Sequence, residues 1–291
     1  MMTEERKEPG TLYLCATPIG NLEDMTYRAV RMMSEVELIA AEDTRHTRQL
    51  LTHFDIHTRL TSYHEHNKWT KGPELVEWLL AGHDLLCVSD AGLPGICDPG
   101  SHLAALAIAE GIRVSPLPGC NAGLSALICS GLDTTRFTFI GFLPKTAKKQ
   151  QEVLAEVRAY RDTLIFYEAP HHLKSTLRQM CTVLGESRQA AFGRELTKRF
   201  EEFRRGTLAE LLAYYEEHEP RGEFVLVVAG AGTEEASHEE EQPQDPVALC
   251  HQSCRRAQQE RGYAPNGEST WLEPPRCLCC AAGCRYNRMR E

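Results

Sequence analysis

No stretch of the 291-residue sequence approaches the apolar length a membrane-spanning helix requires, and its charged opening, MMTEERKEPG, contains no apolar segment like that of a signal peptide. A cytoplasmic location without membrane attachment is therefore expected. Basic charge is also short: 32 Lys and Arg stand against 41 Asp and Glu, for a net charge of −9. Such a chain does not coat nucleic acid through its overall field, so any RNA contact must rest on local basic patches. The G-x-G-x-x-G spacing of dinucleotide-binding folds is missing, which disfavours a nicotinamide enzyme. There is no internal repeat.

The cysteines are plentiful but oddly divided. Cys15, Cys87, Cys97, Cys120, Cys129 and Cys181 are far apart in apolar surroundings, where a reduced cysteine behaves as a small hydrophobe. The other six follow Leu249, in CHQSC and PPRCLCCAAGC, at spacings that match no familiar zinc finger or ribbon, so no metal is expected. From Thr233 the acidic stretch EEASHEEEQPQDP has too few apolar residues to drive its own ordering and reads as a linker. The tail beyond it, 247–291, reads as disordered. Its abrupt gain of Cys, Arg and Pro also fits a shifted reading frame, which sequencing of the coding DNA would decide.

The body alternates apolar runs of strand length with amphipathic helical patterns. Strands are expected at 11–17, 37–41, 84–89 and 113–117, with another just before Tyr63. Helices are expected at 25–36, 44–54, 73–81, 101–110 and 122–130, with Gly82 and Gly111 at left-handed helix ends. A second cycle puts strands at 137–141, 163–167, 189–193 and 224–229, and helices at 147–160, 172–184 and 207–218. The alternation predicts an α/β protein with crossover-connected parallel strands. Domains are expected at 1–134 and 135–232, with a terminal extension at 233–291 and the ligand site in the cleft between the first two.

Polar and glycine-rich segments recur where these strands end. Thr17-Pro18-Ile19-Gly20-Asn21 forms a tight turn, with Asn21 or Asp24 available as a helix cap. Glu42-Asp43-Thr44-Arg45-His46 concentrates charge at the edge where open parallel sheets bind ligands. There Arg45 and Arg48 either pair with the carboxylates internally or hold phosphate, leaving Glu42 or Asp43 to receive a proton. Tyr63-His64-Glu65-His66-Asn67 invites a metal reading, but no third ligand follows at a convincing spacing. The loop 89–100, SDAGLPGICDPG, holds three glycines and two prolines; small residues allow a ligand to approach the backbone, and Asp90 and Asp98 accept hydrogen bonds. PGCNA at 118–122 repeats the theme. Later strands end in FYEAPHH and in GRELTK, where Arg194 and Glu195 are candidates to pair with each other. Basic clusters lie at Lys145, Lys148, Lys149, Arg158 and Arg161, and at Arg194, Lys198, Arg199, Arg204 and Arg205.

TPIGNLED, AAEDTRHT, SDAGLPGICDPG, GFLPK, LIFYEAPH and RELTK occur together and in order between Leu12 and Gly230. In this they resemble the ribosomal RNA small subunit methyltransferase I family, cytidine 2′-O-methyltransferases of the tetrapyrrole-methylase-like (class III) superfamily. The resemblance implies two α/β domains, the first sheet mainly parallel and the second mixed, with S-adenosylmethionine in the cleft. It also implies a homodimer, and 16S ribosomal RNA in the assembled small subunit as substrate. Carried over by position, it gives cofactor contacts to Asp90, Ala91, Gly92, Pro94 and Ile96, with Gly119, Ala122, Tyr167, Gly222 and Glu223 near them. Leu93 stands where many relatives have threonine, and Cys120-Asn121 also departs from the usual pattern. The family's helical C-terminal extension is not recognisable.

A ribose 2′-hydroxyl is a poor nucleophile and needs a base beside it. Glu42 or Asp43 is expected in that role, with His64 in reserve. Arg45, Arg48, Lys145, Arg194, Lys198 and Arg199 are expected on the RNA. The rivals are methylation of a tetrapyrrole precursor and a binding protein without chemistry.

Overall fold

The computed structural model describes residues 8–232; the acidic linker, the cysteine-rich tail and the readings attached to them lie outside the described residues. Five strands, β1 (Thr11–Cys15), β2 (Leu38–Ala41), β3 (Arg59–Ser62), β4 (Leu85–Val88) and β5 (Arg113–Leu117), form a wholly parallel sheet in the order β3-β2-β4-β1-β5. The two-residue side-chain period divides its apolar residues between two faces. Cys15, Ile39, Ala41, Leu86 and Val88 meet α1 (Tyr27–Glu35) and α2 (Thr44–His53). Leu12, Leu38, Ala40, Leu85 and Cys87 meet α3 (Lys68–Leu80) and α4 (Gly100–Ala109). Both faces are covered at the centre of the sheet, so β2 and β4 read as continuous apolar runs. Full burial of a leucine such as Leu12, Leu85 or Leu86 is worth about 1.5–3 kcal/mol.

The second sheet is mixed, in the order β6-β7-β10-β8-β9. Here β6 (Phe137–Phe142) and β7 (Thr163–Glu168) pair in parallel, while β10 (Phe224–Val228) runs antiparallel to β7 and to β8 (Gln189–Arg194), and β8 antiparallel to β9 (Glu202–Thr207). One face carries α6 (Ala147–Val157), α7 (Pro170–Leu184) and α8 (Leu208–Glu217) over Phe166, Phe192, Leu226 and Val228. On the other face α5 (Ala122–Ser130), the helix that follows the first sheet, lays Ala126 and Leu127 against Ile165, Val225 and Val227. Arg205 of β9 holds it there by donating to the Ser130 and Cys129 carbonyls at 3.2 and 2.6 Å, satisfying two of the orphan acceptors at a helix end.

Several local expectations need correcting. Strand β9 was not anticipated, because EFRRGT is an edge strand with no apolar alternation. Helix α3 starts at Lys68, so Pro73 lies inside it and removes one backbone hydrogen bond that packing of the helix onto the sheet outweighs. Asn21 caps a short 3₁₀ turn, Leu22–Asp24, and Thr26 caps α1; Asp24 caps neither. Of the six body cysteines, Cys15, Cys87 and Cys181 are buried, but Cys97 and Cys129 are exposed and Cys120 is half-buried. Gly82 and Gly111 do adopt positive φ, at 85° and 72°. Among the described residues no helix is long and apolar enough to cross a membrane, and no cluster of His, Cys, Asp and Glu is arranged to hold a metal ion.

Candidate functional site

In the first sheet the chain leaves β1 toward β2 on one side and leaves β4 toward β5 on the other, so the carboxyl ends of these neighbouring strands form a topological switch point. Ligands of open parallel sheets bind at such crevices. The turn after β1 and the loop after β4 are joined there by a two-bond bridge, Thr17 N–H to Gly92 O at 2.9 Å and Gly92 N–H to Thr17 O at 3.0 Å. Gly92 takes φ 77°, a conformation costly for residues with a β-carbon. Asp98 closes the other end of the loop: its Oδ1 accepts from Gly95 N–H and Gly100 N–H at 2.7 and 2.8 Å.

Over this crevice lies a cleft of about 510 Å³. Its floor comes from Glu42 and the loop residues Ser89 to Leu93, with Ile96 and Asp98. Its opposite wall comes from the second sheet and α5, through Ala122, Phe142, Tyr167, Leu196, Lys198 and Val225. Tyr167 ties the two parts together, its hydroxyl accepting from Gly123 N–H at 3.1 Å while its ring meets Phe139 and Phe142 edge-on.

The floor is acidic. Burial pushes the Glu42 carboxyl above its usual range, assisted by the charges of Asp90 and Asp98 and opposed by the Asp90 amide and His64. Burial likewise raises Asp98 despite its amide donors. Asp98 Oδ2 and His64 Nδ1 are buried and have no hydrogen-bond partner among the described residues. Asp43 differs from its neighbour: its hydrogen bonds to the Arg45 guanidinium and amide hold its carboxyl far below the usual range, and its Oδ1 caps α2. Arg45 thus pairs internally, with Asp43 at 2.7 Å, although the arginine side chain stays 89% exposed.

Of the residues singled out from sequence, Glu42, Asp90, Ala91, Gly92, Ile96, Ala122, Tyr167, Lys198 and Glu223 line the cleft. Pro94 is buried behind the loop. Gly119 packs beneath it, where a β-carbon would stand 2.9 Å from Ala16 Cβ. Gly222, at φ 81°, leaves room for the side chain of Glu195. Glu195 does not pair with Arg194. It accepts from Lys198 Nζ at 2.9 Å and from Glu223 N–H, while Glu223 takes Lys198 Nζ at 2.8 Å. Arg194 lies 3.5 Å from Glu202. Lys198, expected on phosphate, is therefore held by two carboxylates inside the protein. Arg48, Lys145 and Arg199 are exposed and outside the cleft lining. Ile19, Leu93, Asn121, Phe142, Glu168, Pro170 and Leu196 also line the cleft, each inside a segment marked by its residues; Val225 carries no local signal beyond apolarity.

Two α/β sheets around a cleft at a switch point define a class, and the family model for Tetrapyrrole (Corrin/Porphyrin) Methylases matches residues 11–212. The fold is shared with solved structures such as diphthine synthase, at TM-score 0.59 and 12% identity over 78% of this chain and 94% of that one. Within that class the chain belongs to the ribosomal RNA small subunit methyltransferase I family. It is 54% identical to the Halalkalibacterium halodurans protein of that name, over 79% of each chain. It is 49% identical to the Synechocystis one, over 88% of this chain and 92% of that relative.

Proposed function

We propose that the chain transfers a methyl group from S-adenosylmethionine to the ribose 2′-hydroxyl of a cytidine in 16S ribosomal RNA, within the assembled small subunit. The observation that carries this reading is the roughly half-identical sequence, over the segments that build the cleft, shared with proteins named ribosomal RNA small subunit methyltransferase I. The site suits the donor. Its volume falls within the range of small-molecule pockets, its apolar wall suits an adenine, and its carboxylates suit a ligand carrying sulfonium and ammonium charge.

When bound, S-adenosylmethionine supplies an electrophilic methyl group. The rest falls to the protein. The backbone of Asp90, Ala91 and Gly92, with Ile96, Ala122, Tyr167 and Glu223, holds the donor, and Pro94, Gly119 and Gly222 shape the loops behind these contacts. Glu42 takes the proton from the hydroxyl: its Oε2 is only loosely engaged by the Asp90 amide at 3.4 Å, and burial raises its pKa, which makes the carboxylate a stronger base. Asp43 is too weak a base while Arg45 holds it, and serves α2 as a cap. His64 modulates Glu42 from behind. Arg48, Lys145 and Arg199, with the outer face of Arg45, meet phosphates, whereas Lys198 holds the cleft edge through Glu195 and Glu223 and Arg194 braces β8 against Glu202 of β9.

Residues 8–134 and 135–232 are read as two domains that share the donor, in a cytoplasmic homodimer. The test is methylation by the purified full chain of small subunits from cells lacking the gene, followed by nucleoside mass spectrometry. One new 2′-O-methylated cytidine is expected. Methylation of a tetrapyrrole precursor but not of RNA would overturn the reading.

A further inference from the structure

A smaller cavity of about 220 Å³ opens beside the cleft, between the turn after β1 and the first turns of α2. Pro18, Leu22 and Leu50 give it apolar walls, His46 and Gln49 stand exposed at its rim, and Ser89 and Asp90 form a side that it shares with the main cleft. The boundary is firmly built. The Thr17–Gly92 bridge crosses it, and Asp90 Oδ1 accepts from Asp43 N–H at 3.0 Å, which fixes the carboxylate between the two spaces. Ile19 of the TPIGN turn reaches the main cleft, but Pro18, His46 and Gln49 line only the side cavity.

Two cavities that meet across one residue pair suit a two-substrate transfer, with each reactant on its own side and the reacting atoms at the shared wall. We propose that the side cavity receives a single unstacked nucleoside of the RNA acceptor strand. This rests on the function proposed above. Apolar walls accept the faces of a base, and the Gln49 amide offers a donor and an acceptor to its edge, which is how enzymes acting on one nucleotide read it once extruded. Arg48, exposed on the same helix and with no ion pair among the described residues, is placed for the adjoining phosphate. The space is too small for a four-ring macrocycle.

The test uses the full chain and two readouts. Gln49→Trp fills the rim from an exposed position that folding does not depend on. Affinity for S-adenosylhomocysteine by calorimetry is expected to stay within about twofold, while kcat/KM for small subunits falls roughly tenfold or more. Gln49→Ala, which removes the amide without adding bulk, is expected to fall less. Wild-type kcat/KM in Gln49→Trp, or an equal loss of donor affinity, would overturn the proposal. Separately, a single-stranded hexanucleotide carrying one 5-iodocytidine is photocrosslinked to the wild-type chain. Crosslinks to the peptides holding Leu22 or His46 support the cavity even if small subunits prove not to be the substrate, and crosslinks confined to other surfaces refute it.

Discussion

The aliphatic stem of Lys198 lies across Gly20, in the space a β-carbon would fill: a Cβ built there would overlap Lys198 Cγ and stand 2.7 Å from its Cε. Gly20 belongs to the turn after β1 and Lys198 to the loop after β8, so this contact, locked at its far end by Glu195 and Glu223, ties the two sheets together at the cleft edge. Gly20 also has φ 151°, which L side chains rarely adopt.

Gly20→Ala should therefore lever Lys198 away from its carboxylates and strain the turn. The expected cost is about 1–3 kcal/mol in urea unfolding, together with weaker binding of S-adenosylhomocysteine. Unchanged stability and affinity would show that the contact ties nothing.

Glu42→Gln keeps the shape of the floor but removes the proposed proton acceptor. Methyl transfer should fall about 10²- to 10⁴-fold with donor affinity nearly unchanged. A Glu42 acting as base works only when ionised, and burial raises its pKa. The rate should thus decline as pH falls through a value above the ordinary carboxylate range, and that limb should vanish in the variant. A wild-type rate in Glu42→Gln would move the role elsewhere.

Asp98 separates structural from electrostatic effects. Its Oδ1 holds two loop amides, so Asp98→Ala should cost about 1–3 kcal/mol. Its folded pKa lies above the unfolded value, so the folded state binds the extra proton, and the stability this gives is present at low pH and lost as pH rises through the raised pKa. Asp98→Asn should flatten that dependence, measured by urea unfolding across the acid-to-neutral range. A steeper dependence in the variant would contradict the assignment.

Arg205 lies in a basic cluster but serves as a helix cap. Arg205→Leu should lower stability by about 1–2 kcal/mol through the lost bonds to Ser130 and Cys129 while leaving the salt dependence of RNA binding unchanged. A shallower salt slope would instead put this guanidinium on phosphate.

The centre of the parallel sheet was legible because β2 and β4 are buried on both faces and so read as short apolar runs. The cleft floor was legible because backbone that must approach a ligand needs the glycines and prolines of residues 89–100, which leave a mark on any sequence. What escaped notice depends on partners distant in the chain. Nothing near Lys198 announces Glu223, 25 residues on, and the edge strand β9, EFRRGT, has a single large apolar residue and no alternation to mark it. Asp43 and Glu42 look alike as letters, yet one caps a helix beside an arginine and the other faces the cleft.

Helix α5 follows the first sheet in sequence yet packs on the second. A polypeptide nicked between Gly131 and Arg136 would accordingly carry α5 off with the wrong piece, leaving Ile165, Val225 and Val227 stripped on the carboxyl-terminal fragment. Fragment complementation should thus succeed from a nick just before Asn121, where each piece keeps the surface it buries, and aggregate from one placed only a dozen residues later.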